Sequence, residues 1–357
     1  MRSSVSVTIV TYNSRRFIAR CLESLAAQTV APAEVVVVDN GSDDGTQDAL
    51  KSISFPVRLV LNRENQGFAA GQNQAIAHTT GDWVLTLNPD VLLGPTFLEK
   101  LMESAAVDDR VGTICGKLLR LNPDLSIPAE PRLDSAGIFF TPNLRHFDRG
   151  WNEADGPGFE RIEYVFGASG AAALYKREMI DEISCTDGFF DPDFFAYRED
   201  ADVAWRAQLL GWRALYTPAA VGYHVRRVTP ENRKSLPPAL NRHSVKNRFL
   251  LRIKNITTGV YRQNWWSATL RDALVVGGCL LSEHSSLPAF TDVVRMSRKA
   301  WGKRRWIMAR RQAPDEDLIR WFSFEPASRP LGCFSTPGQP EGPRTTGQVA
   351  VAAQKNS

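Results

Sequence analysis

"VVVVDNGSDDGT", residues 35–46, sets four valines against a polar turn. Valine is stiff at χ1 and fits a pleated strand, and an unbroken apolar run of this length suits a strand buried on both faces. Residues 34–39 are therefore predicted as a strand with Asp39 at its tip, and Asn40-Gly41-Ser42 as the turn behind it. Working outward, strand-like and helix-like segments alternate. "VSVTIVTY" (5–12) reads as a strand, and "SRRFIARCLESLAAQ" (14–28) puts Phe17, Ile18, Cys21, Leu22 and Leu25 on one helical face. "DDGTQDALKSI" reads as a short helix, "VRLVLN" (57–62) as a strand, "GFAAGQNQAIAHT" (67–79) as a helix and "DWVLTLN" (82–88) as a strand. Such alternation predicts an α/β fold, a Rossmann-like, mostly parallel sheet flanked by helices. Ligands bind such sheets at the carboxyl ends of the strands. Asp39, Asn62 and Asn88-Pro89-Asp90 all fall at those ends.

Beyond the fourth strand, 95–105 reads as a helix and 112–165 as irregular strands and turns. Residues 166–183 read as a small-residue strand and a helix, and 187–224 as loop, helix, strand. A basic helical extension is expected over 226–325. The tail 326–357, rich in Pro, Gly, Thr and Gln, is expected to be disordered. The expected division is thus 1–225, 226–325 and 326–357.

The net charge of +4 conceals an asymmetry. Residues 1–225 hold 20 Lys and Arg against 30 Asp and Glu; residues 226–311 hold 19 against 4. Such a basic block predicts an anionic partner, membrane lipid or nucleic acid. The five cysteines form no CxxC pair, which points away from a zinc ribbon or a disulfide framework. The N-terminus lacks the charged and apolar regions of a signal peptide. No stretch approaches the ~18 apolar residues of a membrane span, and "ALVVGGCLL" (273–281) is too short. The expected location is cytoplasmic, with peripheral attachment to the inner face of the plasma membrane left open.

Four constellations carry chemistry. Asp39 either accepts a hydrogen bond from a pyrimidine imide N–H or forms an Asx turn. In "NRENQGFAAGQNQAI", Gly67 and Gly71 bracket a helix start flanked by Asn65 and Asn73. There backbone N–H groups can approach a diphosphate, or the glycines serve only helix packing. In "NPD", Asp90 offers a hard oxygen to Mg²⁺ or Mn²⁺, or the tripeptide is only a turn. In "FFAYREDADVAWRAQLLGW", Glu199, Asp200 and Asp202 crowd a helix start. Capping and an Asp202–Arg206 pair account for part of this, and general-base catalysis for the excess. His224 ends the next strand run and either completes a metal site or is structural.

In order along the chain, "VSVTIVTYNS", "VVVVDNGSDDGT", "NQGFAAGQNQAI", "GDWVLTLNPD", "GFFDPDFFAYREDADVAWRAQLLGWRALYTPAAVGYH" and "RHSVKNRFLL" resemble the family 2 glycosyltransferases of GT-A fold, over about residues 5–255. Within that family the chain resembles the rhamnosyltransferase type. The resemblance implies an inverting, metal-dependent transfer from dTDP-rhamnose, or otherwise a UDP-sugar, to a hydroxyl of a glycan or polyprenyl-linked acceptor in cell-envelope polysaccharide synthesis. It implies that Thr11, Asn13 and Asp39 contact the nucleotide and that Asp90 and His224 bind metal. It further implies Asp200 as base, with Glu199 and Asp202 in support, and Gly167, Ala168 and Ser169 in the acceptor and sugar pocket. Asn88 stands where the wider family has the first metal-motif aspartate, which implies weaker metal binding or heavier reliance on His224 and the donor's own phosphates.

In the basic half, "SVKNRFLLRIKNI" spaces Val245, Phe249, Ile253 and Ile256 along one face with Lys246, Arg248, Arg252 and Lys254 between them. "MSRKAWGKRRWIMARR" mixes cations with Trp301 and Trp306. Basic amphipathic helices with Trp suit a membrane interface; a helix covering the catalytic domain, with a solvated cationic face, is the other reading. The acidic front half argues against nucleic acid. An inactive homologue or basic-surface scaffold protein is the alternative function, and an oligomer is compatible with the sequence.

Overall fold

The protein is described from a computed structural model, which covers residues 3–226 and 237–334. The first ninety residues form β1 (Val5–Thr11), α1 (Arg15–Ala26), β2 (Glu34–Asp39), α2 (Thr46–Ser52), β3 (Arg58–Leu61), α3 (Phe68–Ile76) and β4 (Trp83–Leu87). Next come β5 (Val91–Leu93), α4 (Phe97–Ser104), β6 (Val111–Arg120), β7 (Leu133–Ser135), β8 (Ile138–Phe140) and β9 (His146–Asp148). They are followed by β10 (Glu163–Val165), β11 (Ala172–Lys176), α5 (Arg177–Ile183), α6 (Glu199–Leu209) and β12 (Arg213–His224). The C-terminal part is α7 (Pro238–Asn255), α8 (Thr258–Leu281), α9 (Pro288–Arg310), α10 (Asp315–Ile319) and β13 (Arg329–Pro330).

The main sheet runs β13-β10-β12-β6-β11-β4-β1-β2-β3. The four strands separated by helices, β3-β2-β1-β4, are all parallel, because each crossover helix returns the chain to the same edge before the next strand starts. Past β4 the sheet becomes mixed. β11 lies antiparallel between β4 and β6, and β12 is parallel to β6. β5 lies antiparallel on β12 and sets Val91 opposite His224, which carries Asp90 to the histidine. The valines of residues 35–38 are buried as their pattern predicts. An aromatic group of Phe140, Phe166, Trp205, Trp321 and Phe322 closes the core on the C-terminal side, with Phe140 and Phe166 ring centres 4.6 Å apart.

The basic region is helical, as expected, but much of its charge points inward. Leu250, Leu251, Val260 and Ile307 of α7, α8 and α9 belong to the same apolar core as the sheet. Of the residues expected on the apolar stripe of α7, Val245 is buried, and Lys246, Arg248 and Lys254 are buried with it. The reason is electrostatic: buried carboxylates face them. Lys254 Nζ donates to Asp191 Oδ2 (2.5 Å) and Asp202 Oδ2 (2.8 Å). Lys303 Nζ of α9 lies among Asp187 (2.8 Å), Asp191 (2.5 Å) and Asp193 (2.7 Å). Lys299 pairs with Asp187 and Asp193, and Arg206 with Asp202. Arg248 and Arg252 share Asp272 of α8. Part of the acidic front half is therefore neutralised by the basic back half of the same chain.

The disorder expected from residue 326 does not begin there. Arg329 and Pro330 pair with Tyr164 and Glu163 of β10, and the Arg329 guanidinium lies 4.2 Å from the Trp321 ring. Residues 335–357 of that expectation lie outside the described residues.

Burial opposes ionisation of Asp191, but Lys254 and Lys303 outweigh it and hold its carboxyl well below the usual carboxylate range. A folded-state pKa below the unfolded value of about 3.9 means stabilisation that is complete above about pH 5 and lost as the pH falls further. Lys254→Met removes one of two cations from each of two buried carboxylates, leaving Asp191 to Lys303 and Asp202 to Arg206, and is expected to cost up to about 3–5 kcal/mol in urea unfolding at neutral pH. Lys299→Met, at a side chain 49% exposed, is expected to cost less than about 1 kcal/mol.

Candidate active site

Two groups of side chains sit at the carboxyl ends of the parallel strands. The first joins the tips of β1 and β2. Thr11 Oγ1 donates to Asp39 Oδ2 (2.8 Å), Ser42 N and Gln47 Nε2 donate to Oδ1 (3.0 and 2.8 Å), and Ser42 Oγ donates to Oδ2 (2.6 Å). The Ser42 N–H bond is the Asx turn anticipated from sequence. Asn13, at a positive φ of 48°, accepts from Asp43 N and lies beside this turn. Thr11, Asn13 and Asp39 are thus brought together.

The α3 segment divides differently. Asn65 Oδ1 accepts from Gly67 N (2.9 Å). Gly67 has a φ of 85°, and a Cβ there would come within 2.6 Å of Phe195 O. Gly71 serves packing, since its Cβ would lie 2.9 Å from Val10. Asn73 departs from the nucleotide-contact expectation. Its amide donates to Phe190 O (2.7 Å) and accepts from Phe190 N (2.9 Å), and so fastens the 187–190 loop to α3.

The second group lines a cavity of about 620 Å³. Asn88, Asp90 and His224 line it, as do Ser169, Glu199 and Asp200. His224 Nδ1 meets Asp134 Oδ2 at 2.7 Å, while Nε2 stands 3.5 Å from Asp90 Oδ1. Burial opposes charge on this imidazole, but Asp134 and then Asp90 push it up to about 10. Arg226 in turn donates to Asp134 and to Asp148 (2.6 Å each). In the metal-free protein this ring is an imidazolium between two carboxylates; a divalent ion at Asp90 would displace the Nε2 proton, and a neutral histidine fixed through Nδ1 by a carboxylate then suits such an ion. One oxygen donor, one nitrogen donor and the nearby Asn88 amide fit such an ion, with the remaining positions left for the donor phosphates. The acidic trio Asp187, Asp191 and Asp193 also has ligand spacing. Its oxygens already receive Lys303, so an ammonium group stands where a metal would.

Asp200 is half-buried and receives N–H bonds from Gly170 (3.0 Å) and Ala201 (2.7 Å). Burial raises its pKa, and Asp148 adds to that. Glu199 is buried, and its Oε2 has no hydrogen-bond partner among the described residues. Burial, and then Asp200, hold its carboxyl well above the usual range. Asp202 does not support the base. It is wholly buried and turned away, held by Arg206, Lys254 and Asn255 Nδ2 (2.8 Å), so the i,i+4 pairing reading is the correct one. Of the expected pocket segment, only Ser169 lines the cavity; Gly167 packs on Ala204 and Ala168 is buried. The lining continues instead through Gly170 and Ala171.

The loop before α6 is strained: Phe195, Tyr197 and Arg198 have φ of 65°, 70° and 73°. Asn247 Nδ2 of α7 donates to three of its carbonyls, those of Phe194, Ala196 and Tyr197 (2.8–2.9 Å). Arg198 Nη1 meets His146 Nδ1 at 3.1 Å, and burial with the adjacent Arg198 and Arg145 keeps that imidazole neutral. Sequence reasoning missed Asp134, His146, Asp148, Arg226 and Asn247, because each acts through a partner more than 50 residues away.

The family model described as Glycosyl transferase family 2 matches residues 6–184. The chain is 31% identical over 249 residues to the N-acetylglucosaminyl-diphospho-decaprenol L-rhamnosyltransferase of Mycobacterium tuberculosis, covering 63% of this chain and 76% of that protein. Among solved structures it resembles the mannosyltransferase PcManGT from Pyrobaculum calidifontis in complex with GDP-Man and Mn²⁺, with a TM-score of 0.50, 19% identity, and 90% of this chain and 88% of that one covered. It also resembles GalNAc-T7 with UDP, GalNAc and Mn²⁺, with a TM-score of 0.57, 14% identity, and coverage of 86% and 56%. These likenesses fix the fold as GT-A.

Asp134→Asn removes the carboxylate that orients His224. Mn²⁺ affinity in the presence of a nucleoside diphosphate, read by titration calorimetry, is expected to fall about 10–100-fold. Unchanged affinity would detach His224 from metal binding.

Proposed function

The chain belongs to glycosyl transferase family 2, and from that premise we propose that it transfers L-rhamnose from dTDP-L-rhamnose to a hydroxyl of a polyprenyl-diphosphate-linked saccharide, with inversion at the anomeric carbon. The observation that carries this reading is that Asp200 lines the same cavity as Asn88, Asp90 and His224, beside the carboxyl ends of the strands. The rhamnosyltransferase relative supports the choice of sugar and of acceptor class.

The donor lies across the strand tips in this account. The tips of β2 and β4 are separated by β1, about 10 Å across the sheet. The base end is assigned to Asp39, where the Ser42 hydroxyl and Gln47 amide are side-chain donors that a thymine imide N–H can replace. The diphosphate end is assigned to Asp90 and His224. A divalent ion held there supplies positive charge against the charge that grows on the leaving diphosphate. The imidazole in the donor set favours Mn²⁺ over Mg²⁺, whose ligands are almost wholly oxygen.

Asp200 accepts the proton of the acceptor hydroxyl. The freed oxygen pair forms the new bond to the anomeric carbon as the bond to the diphosphate oxygen breaks on the opposite face, and the leaving group carries that electron pair away. The raised pKa of Asp200 suits this role, since a stronger base accepts a proton more readily. Gly170 and Ala201 hold both carboxylate oxygens in place. Burial and Asp200 push the Glu199 carboxyl well above its usual range, which disfavours a second negative charge in the cavity.

Asp200→Asn is expected to bind dTDP-rhamnose with unchanged affinity and to lose transfer by about 10²–10⁴-fold. Transfer at the wild-type rate would remove the base assignment. Failure of both wild type and variant to bind any nucleotide sugar would favour a non-catalytic scaffold.

A further inference from the structure

The solvent side of α8 is apolar. From Trp265 to Leu281 the outward positions carry Trp265, Trp266, Leu270, Leu274, Leu280 and Leu281, with exposures from 50% to 84%. The two charges in this stretch, Arg271 and Asp272, are half-buried, and Asp272 is turned inward onto Arg248 and Arg252. Scattered exposed leucines are ordinary, but a face of more than four helical turns without an outward charge marks an interaction surface.

Its surroundings are cationic. Residues 258–311 contain ten Lys and Arg against three Asp and Glu. None of the three carboxylates is exposed, whereas Arg262, Arg295, Arg298 and Arg305 are. On α9, Trp301 is 54% exposed with Arg304 beside its ring. No helix among the described residues is long and apolar enough to cross a membrane. An outward face of Trp and Leu, on a helical segment 258–311 whose exposed charged side chains are all cationic, matches the chemistry of an anionic bilayer surface. A second copy of this chain would bring the same cations against each other.

Position agrees with this. The turn between β8 and β9 rests on α8, where Ser267 Oγ donates to Pro142 O (2.8 Å). The strand leaving that turn supplies Arg145, His146 and Asp148 to the cavity wall. On the cavity side, α7 contributes Leu240, Asn241 and Ser244.

We propose that α8 lies in the surface of an anionic membrane, apolar face inward, and so presents the cavity to a lipid-linked acceptor at the bilayer. The membrane contact stands on the face itself; its purpose rests on the function proposed above. Of the two helices named from sequence, α7 is turned onto the catalytic domain, while the 296–311 segment keeps Trp301, Arg298 and Arg305 exposed.

The test is flotation of the full chain with phosphatidylcholine vesicles, with and without phosphatidylglycerol, for wild type and for the double substitution Leu270→Asp and Leu274→Asp. Both leucines are exposed, so folding is checked by circular dichroism and is expected to be unchanged. Wild type is expected to float with the anionic vesicles, less so in high salt, and the variant to lose at least about tenfold in binding. Equal flotation of the variant, absence of wild-type flotation, or a wild-type dimer that the same substitutions dissociate would overturn the proposal. Turnover with a short water-soluble acceptor is read in parallel and is expected to be equal in both proteins. Its absence in both would count against the transferase reading and leave the flotation result to judge the membrane contact.

Discussion

Four carboxylates, Asp187, Asp191, Asp193 and Asp202, are brought into or against the core where α6 meets the loop before it. Carboxylates in such a position destabilise a fold unless cations meet them, and here Arg206 comes from α6 itself while Lys254, Lys299 and Lys303 arrive from α7 and α9. The catalytic loop and the C-terminal helices are therefore one electrostatic unit. That unit holds Phe195, Tyr197 and Arg198 in left-handed conformations that cost about 1–3 kcal/mol each. Asn247 gathers the carbonyls that this geometry leaves pointing at α7. Residues 199 and 200 then enter the helix with Asp200 aimed into the cavity. The ion-pair seam contributes less to net stability than well-packed apolar residues would. What it contributes is a fixed position for Asp200, the proposed base.

Much of the fold was legible because its determinants are local. A run of valines, a polar strand tip and a 3.6-residue apolar period each lie within one element, so β1 to β4 and the helices between them follow from sequence. Asp39, Asp90 and Asp200 were legible for the same reason, as carboxylates at predicted strand tips or a predicted helix start. The illegible part is pairing at a distance. His224 and Asp134 are 90 residues apart, and nothing in "RLDSAG" marks its aspartate as the partner of a histidine. Asn73 looked like a phosphate-site flank because only the fold shows its amide facing Phe190.

Charge shows the same limit. The basic block was visible in composition, and an external anionic partner was the natural expectation. The fold divides that block into two parts. Lys246, Arg248, Lys254 and Lys303 face inward to carboxylates and carbonyls, while Arg262 of α8 and Arg295, Arg298 and Arg305 of α9 are exposed. A count along the chain cannot separate these, since both sets occur on the same helices. The apolar face of α8 was hidden for the matching reason: a helix rich in Trp, Leu and Val reads as core until its exposure is known.

The central claim is that α7 and α9 belong to the catalytic unit through the buried seam. Hydrogen-exchange mass spectrometry of the full chain tests it most directly, by comparing amides of residues 187–206 with those of 238–255. The account predicts that both segments open with the same free energy and that Lys254→Met lowers the protection of both together. Rapid exchange throughout 238–255 beside undiminished protection of 187–206 would contradict it, and would make the C-terminal helices an independent appendage.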